Sequence, residues 1–432
     1  MNQTASTEST GSGVSAGRIA VVAVTLAAVL GIILILEGRH PEAAEGTETS
    51  AGAPARSYQA VSAPALDSSP PPSEWLQAYG SSSGNAAWAP AVKAPFDTLW
   101  VLGTGAEIFA PPAVMGDHIY MAGNDSVLRA LNRHTGAQLW SRTVICGISG
   151  GVAADSQMVY YSGQDGYVYA IHRSEGSQEW RAGLGYHVFT DAAVFRDTMV
   201  LAGNSMGSIA ALDAASGEVI WSGTMEGLVL GPAVRDTVAV FSTESGQVAA
   251  WSPGGTRLWS RSFATQPSAP SISRGMVLLG FSSGKVLALS LATGETVWET
   301  ALEGVRGRTV VSRPAVYADS VLVAGTCDSR VVCMDLPTGD IIWETEMENW
   351  VAVPPAVCDT MVYASCDDHR IHILSLNTGL PLDTIGTGSY SGTAPLLLDG
   401  VLYAGNSAGD LVALRGTVPV DSTAMEENCP AD

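Results

Sequence analysis

The sequence predicts an all-β fold, an eight-bladed β-propeller of four-stranded antiparallel blades, preceded by one transmembrane helix. Three observations carry this reading. Six tryptophans, Trp140, Trp180, Trp221, Trp259, Trp298 and Trp343, recur at intervals of 40, 41, 38, 39 and 45 residues, each with a glycine four positions before it. Short apolar runs punctuated by Gly, Asn, Asp and Ser stand ahead of each tryptophan. Residues 19–36 form an uncharged stretch of eighteen residues. Self-similarity near 40 residues built from short strands is the mark of blade repeats. The uncharged stretch, as a helix, reaches about 27 Å, close to the thickness of a hydrocarbon core.

In the first repeat, residues 110–114 and 119–122 read as strands A and B, Gly123-Asn124-Asp125 as a turn, 127–131 as strand C, and Trp140 marks strand D. Strand B is almost purely apolar in most copies, as in residues 158–161, 199–202, 276–279, 321–324 and 361–364. Such runs suit strands covered on both faces, which is what neighbouring blades provide. The A-B-C unit occurs eight times, ending with residues 401–404 and 411–414, but only seven copies are followed by a D segment. The missing strand lies at the other end of the chain. Residues 96–100 precede the first strand A, and Trp100 stands 40 residues before Trp140, so this segment is expected to pair as the outermost strand of the last blade. The seventh D segment is degenerate, with Asp383 four residues after Gly379 in place of tryptophan.

The phrase A-x-D-x-x-T-G-x-x-x-W is visible, with small variations, at residues 211–221 and 288–298. It resembles the tryptophan-docking motif of the pyrroloquinoline-quinone-like propeller family, and the resemblance covers residues 99–415. It implies that Trp100, Trp140, Trp180, Trp221, Trp259, Trp298 and Trp343 pack between blades as structural docking residues. Through the family's outer-membrane assembly lipoproteins it further implies a non-enzymatic scaffold for protein partners, a β-barrel assembly complex among them. Another branch, the quinoprotein dehydrogenases, holds its cofactor beside a disulfide of adjacent cysteines and a calcium ion. This chain has no adjacent cysteines and no Cys-x-x-Cys-His, so neither cofactor nor metal is expected. A quinone-dependent oxidoreductase and a sensor or ligand-binding ectodomain stay as the alternative readings.

The expected organisation is a polar tail over residues 1–17, a signal anchor over 18–37, an Ala/Ser/Pro-rich linker over 38–90, the propeller over 91–416 and a tail over 417–432. No small-residue cleavage site follows the apolar segment convincingly, which favours a single-pass anchor over a cleaved signal peptide. The lipobox cysteine of the family's lipoproteins is missing there, leaving the helix as the expected tether. Arg18 and Arg39 flank it almost evenly. The placement of the propeller on the periplasmic or extracellular side is therefore what the resemblance implies, rather than a charge argument. A net charge of −21, with two lysines, disfavours nucleic acid as a partner.

Candidate sites are few. Residues 203–207 and 405–409 match G-x-S-x-G, but both fall in B-to-C hairpins instead of a strand-to-helix elbow. Cys366, His369 and His372, with Asp367 and Asp368 between them, form the densest set of metal-type ligands. The odd separation of the two histidines along one strand is expected to turn them to opposite faces, which favours a plain hairpin. Asp125, Asp165, Glu244, Asp328, Asp367 and Asp368 are expected at hairpin tips as turn formers. Cys327 and Cys366 read as nearly equivalent turn positions where a cross-blade disulfide is open, though unpaired thiols are the expectation. The partner-binding candidates are Arg306, Arg308, Arg313 and Trp350, arginine and tryptophan in loops that break the repeat.

Overall fold

The computed structural model describes residues 91–417 apart from 146, 149, 236 and 304–309. The expected membrane helix over 18–37, the linker and the C-terminal tail lie outside these residues, except Thr417, which ends the last strand instead of opening the tail. Within them the chain forms eight four-stranded antiparallel sheets, each a blade. Blade 1 is Ala113–Met115, His118–Gly123, Val127–Asn132 and Gln138–Thr143, paired in that order. Blades 2 to 7 repeat it, ending with Ala356–Cys358, Met361–Cys366, Arg370–Ser375 and Pro381–Gly386. Blade 8 takes Leu396–Leu398, Val401–Gly405 and Asp410–Thr417 from the C-terminal end and Lys93–Gly103 from the N-terminal end.

The N-terminal strand pairs antiparallel with the last one, Thr98 opposite Leu414, Trp100 opposite Ala413 and Leu102 opposite Leu411. It also reaches blade 7, where the Val92 N–H donates to Tyr363 Oη at 2.7 Å and the Ala91 N–H to Asp359 at 3.3 Å. Strands B and C are buried on both faces, as Met158–Ser162 and Val321–Thr326 show, because each sheet is sandwiched between two others.

Every docking tryptophan points into the next blade. The glycine of the following repeat lies under the indole with a positive φ between 69° and 81° at Gly136, Gly176, Gly217, Gly255, Gly294, Gly339 and Gly379. A β-carbon on any of these glycines would come within 2.5 to 2.8 Å of the ring. Glycine is thus required twice over, by the turn and by the contact. The turn is locked by the motif's own polar residues: Asp213 Oδ1 accepts from the Ala215 and Ser216 N–H groups and from Ser216 Oγ. Six indoles donate Nε1–H to a backbone carbonyl of the next blade at 2.6 to 3.0 Å, namely those of Trp100, Trp140, Trp180, Trp259, Trp298 and Trp343. Trp221 finds no acceptor among the described residues. Its receiving turn is one residue shorter, closing with Gly255 N to Ser252 O where the others bond across four residues, as Gly217 N does to Asp213 O. That deletion accounts for the short 38-residue interval.

Each tryptophan faces a small residue on strand C, Ala130, Ala170, Ala211, Ala250, Ala288, Cys333 or Ala413. Blade 7 reverses the pair, Ile373 filling the space opposite Asp383. Strands D of blades 1 to 7 all carry a register shift at the residue just before the tryptophan position. In five blades this bulge leaves an apolar side chain exposed, Leu139, Ile220, Leu258, Val297 and Leu382. The bulge interrupts the outer edge that would otherwise template pairing with another chain.

Closure by the N-terminal strand has a direct consequence. A chain beginning after Gly103 exposes the edge of blade 8 and removes Trp100 from Gly136, so its thermal unfolding should become broad and non-cooperative by circular dichroism. A melt superimposable on that of the intact propeller would contradict the closure.

Candidate functional site

The loops joining strand D to the next strand A and the B-to-C hairpins share one rim, because each hairpin hydrogen-bonds the loop beside it. Gln164 N donates to Gly147 O, Ser205 N to His187 O, Cys327 N to Val310 O and Asp367 N to Trp350 O. The loop in turn supplies a hydroxyl beneath the hairpin. Thr190 Oγ1, Ser268 Oγ, Ser312 Oγ and Thr393 Oγ1 accept from the N–H of Gly203, Gly280, Gly325 and Gly405 at 2.9 to 3.1 Å. The hydroxyl and glycine of this recurring pair stand twelve or thirteen residues apart, a regular spacing that the tryptophan repeat does not announce. Its physical basis is the need to satisfy a buried N–H where the sheet ends.

Inside the rim, the positions two residues before strand A are Pro111, Gly151, Asp191, Ala269, Arg313, Pro354 and Ala394, and in blade 4, whose strand A starts earlier, Gly231 takes the matching place before Pro232-Ala233-Val234. Asp191 and Arg313 are the charged pair of this set. Each ties its blade to the preceding one, Asp191 accepting from the Gly151 N–H and Arg313 Nε donating to Ser271 Oγ at 3.3 Å. Burial pushes the Asp191 carboxyl up, while the Gly151 N–H and the positive charge of Arg313 pull it back. Arg313 is 8% exposed. It therefore stands apart from the exposed rim where the sequence placed it, buried against blade 5 at Ser271. Arg306 and Arg308 lie outside the described residues.

Trp350 is 44% exposed on the loop leading into blade 7. Three further apolar side chains that the sequence reading passed over share this rim: Ile145 at 92%, Tyr186 at 57% and Met206 at 61% exposure, on the loops leading into blades 2 and 3 and on the blade 3 hairpin. They belong to loops, where no periodicity announces them. The hairpin carboxylates are turn formers where the bonds are seen, Asp125 accepting from Val127 N, Asp165 from Tyr167 N and Asp368 from Arg370 N. The two G-x-S-x-G segments are hairpins, with Asn204 accepting from Ser208 N and Asn406 from Asp410 N.

Cys327, Cys333, Cys358 and Cys366 are thiols, not disulfides. Cys327 and Cys366 are offset by one position, since Cys366 pairs with Arg370 as Thr326 does with Arg330. His369 sits exposed at the hairpin tip with φ 69°, away from the half-buried His372. Yet Cys366, Asp368 and His372 bring their ligand atoms within 4.8 Å of one another. The two histidines are separated by the turn, since His369 precedes strand C, and not by alternation along a strand; the turn also folds Asp368 back over strand C, its Oδ2 2.7 Å from His372 Nε2.

A model of the family described as outer membrane protein assembly factor BamB matches residues 42–182, 164–380 and 310–418. The chain belongs to the BamB family. It is 25% identical over 237 residues to the BamB of Burkholderia pseudomallei (strain K96243), covering 52% of this chain and 51% of that protein. It is 27% identical over 231 residues to the BamB of Nitrosomonas eutropha, covering 51% and 46%. The chain thus spans about half the length of the curated relatives it matches. Among solved structures, BamB from Moraxella catarrhalis superposes with a TM-score of 0.62 at 17% identity, covering 74% of this chain and 99% of that one. A europium-containing methanol dehydrogenase superposes with a TM-score of 0.67 at 11% identity, covering 79% and 98%. At such identities these likenesses speak for the propeller alone.

The inner ring carries a pH test. The folded-state carboxyl of Asp191 is raised, so folding takes up a proton between its unfolded and folded values, and stability falls as pH rises through that window. Asp191→Asn should therefore raise the melting temperature at neutral pH and leave it nearly unchanged below the ordinary carboxylate range. A lower melting temperature at neutral pH would mean that the attraction to Arg313 outweighs the cost of burial.

Proposed function

We propose that this chain is a non-enzymatic interaction scaffold of outer-membrane protein assembly, docking a protein partner of the β-barrel assembly machinery on its loop rim. The observation that carries the reading is a regular ring whose variation is concentrated in exposed loop side chains on one rim. Trp350, Tyr186, Met206 and Ile145 stand out there on a rigid base. Aromatic anchors presented by ordered loops are what interface hot spots are made of. Membership of the BamB family supports the same class of role. In this reading residues 18–37 hold the propeller at the membrane as a single-pass anchor, on the periplasmic or extracellular side, and Arg306 and Arg308 join Trp350 as partner-binding residues.

A second reading is that of a quinone-dependent oxidoreductase, since a methanol dehydrogenase and a quinohemoprotein alcohol dehydrogenase share the propeller. Against it stands the absence of adjacent cysteines from the sequence. Purified protein supplied with pyrroloquinoline quinone and calcium should neither retain the quinone through gel filtration nor reduce a dye with alcohols or sugars. Stoichiometric retention with turnover would replace the scaffold by the enzyme.

The rim is tested by substitution. Replacing Trp350 and Arg308 together by Ala should leave the melting temperature within a degree or two, as exposed substitutions cost about 0.5 kcal/mol or less. Affinity recovery of a β-barrel assembly protein from solubilised membranes should fall more than tenfold, since a lost interface anchor costs around 2 kcal/mol. Trp221→Ala is the control, expected to cost roughly 3–5 kcal/mol of stability through lost packing between blades. A rim variant that melts as early as the Trp221 variant would assign those residues to the fold.

A further inference from the structure

Four of the B-to-C hairpins are built on one plan. Asp125, Asp165, Asp328 and Asp368 occupy the same turn position, two residues beyond Gly123, Gly163, Thr326 and Cys366. In blades 1 and 2 the carboxylate is answered from strand C, four residues on, by Arg129 and by Tyr169, and the residue beneath the turn is Gly123 or Gly163. In blade 6 Arg330 answers Asp328, and Thr326 lies beneath. Blade 7 keeps the plan but changes two parts. The answering side chain is the imidazole of His372, and the residue beneath is the buried thiol of Cys366. A pair that locks the turn in three blades thereby becomes a set of three donor atoms of different softness, all within 4.8 Å of one another.

We propose that Cys366 Sγ, the Asp368 carboxylate and His372 Nε2 bind a zinc ion, with the carbonyl of Asn349 or a water in the fourth position. Thiolate, imidazole and carboxylate together are a zinc-type donor set. A tetrahedron with arms of about 2.0–2.3 Å holds its corners roughly 3.5 Å apart, a spacing this cluster reaches by small side-chain movements. The Asn349 carbonyl already lies 3.3 Å from Cys366 Sγ, which donates to it. Charge favours the ion as well. The Asp368 and His372 side chains are 9% and 11% exposed, so the buried carboxylate and thiolate balance the dication inside a chain of net charge −21. On binding, the thiol proton passes to solvent and the Sγ–H to Asn349 bond gives way to the Sγ–zinc bond. His372 coordinates as the neutral ring through the nitrogen that now faces Asp368.

The site joins two parts of the rim. Cys366 and Asp368 belong to the hairpin, while Asn349 belongs to the loop that presents Trp350, whose carbonyl accepts from Asp367 N at 2.9 Å. An ion held there fixes that loop to blade 7. It stands independently of the scaffold reading.

Metal-stripped full-length protein, kept reduced, should be titrated with cobalt(II) as a spectroscopic stand-in. The expected result is a thiolate-to-cobalt charge-transfer band together with the visible bands of a tetrahedral site, saturating at one equivalent and displaced by zinc. Cys366→Ser should abolish the charge-transfer band, His372→Ala should weaken cobalt binding roughly tenfold or more, and Cys327→Ser should leave both unchanged. Far-ultraviolet circular dichroism of each variant without metal establishes that the propeller is intact, and His372→Gln serves if His372→Ala does not fold. No charge-transfer band in the reduced wild-type chain, or a band that survives Cys366→Ser, would overturn the proposal.

Discussion

An indole laid on a glycine is the contact on which the ring depends. A tryptophan from strand D of one blade covers the glycine turn of the next, at a distance where any side chain on that glycine would collide with the ring. The contact fixes the angle between neighbouring sheets, and angles repeated around a circle must close. Here the closing contact is made by the N-terminal strand, which both completes blade 8 and lays Trp100 on Gly136 of blade 1. One segment therefore satisfies the open sheet edge and the last interface together. Its long pairing with Asp410–Thr417 and its bonds to Tyr363 and Asp359 hold both in place.

The ring tolerates local loss because each interface has several parts. Trp221 gives up its hydrogen bond to a shortened turn but keeps its packing on Gly255. Blade 7 gives up the tryptophan of its own strand D and fills the vacated volume with Ile373. In both cases the apolar contact is conserved in volume while the polar detail varies, as expected where burial contributes more than a single hydrogen bond.

Variation is freer on the rim, where turn positions are fixed but their occupants are not. The same carboxylate is answered by an arginine, a tyrosine or a histidine according to the blade. Toward the inner ring the rule tightens, since a polar group there must be satisfied, and Asp191 and Arg313 each bond to the preceding blade, at Gly151 and Ser271. A rigid toroid with adaptable tips is an economical way to present a binding surface.

Most of the architecture was legible from residues alone: the blade count, the role of the seven tryptophans, the degenerate strand D at Asp383 and the closure by residues 96–100 all follow from in-register repetition. Repetition reports local geometry, and a propeller is local geometry copied eight times. The positions of Arg313, of the exposed side chains of Ile145, Tyr186 and Met206, and of the Cys366, Asp368 and His372 cluster were not legible. These lie in loops and turns, where no period constrains the direction of a side chain. What the sequence by itself determined is therefore the ring and the way it closes, because glycine, tryptophan and apolar spacing act between neighbours along the chain. What only the tertiary structure decided is which loop side chains face solvent, which are drawn inward and which donors converge, because those outcomes depend on charges and atoms supplied by other blades.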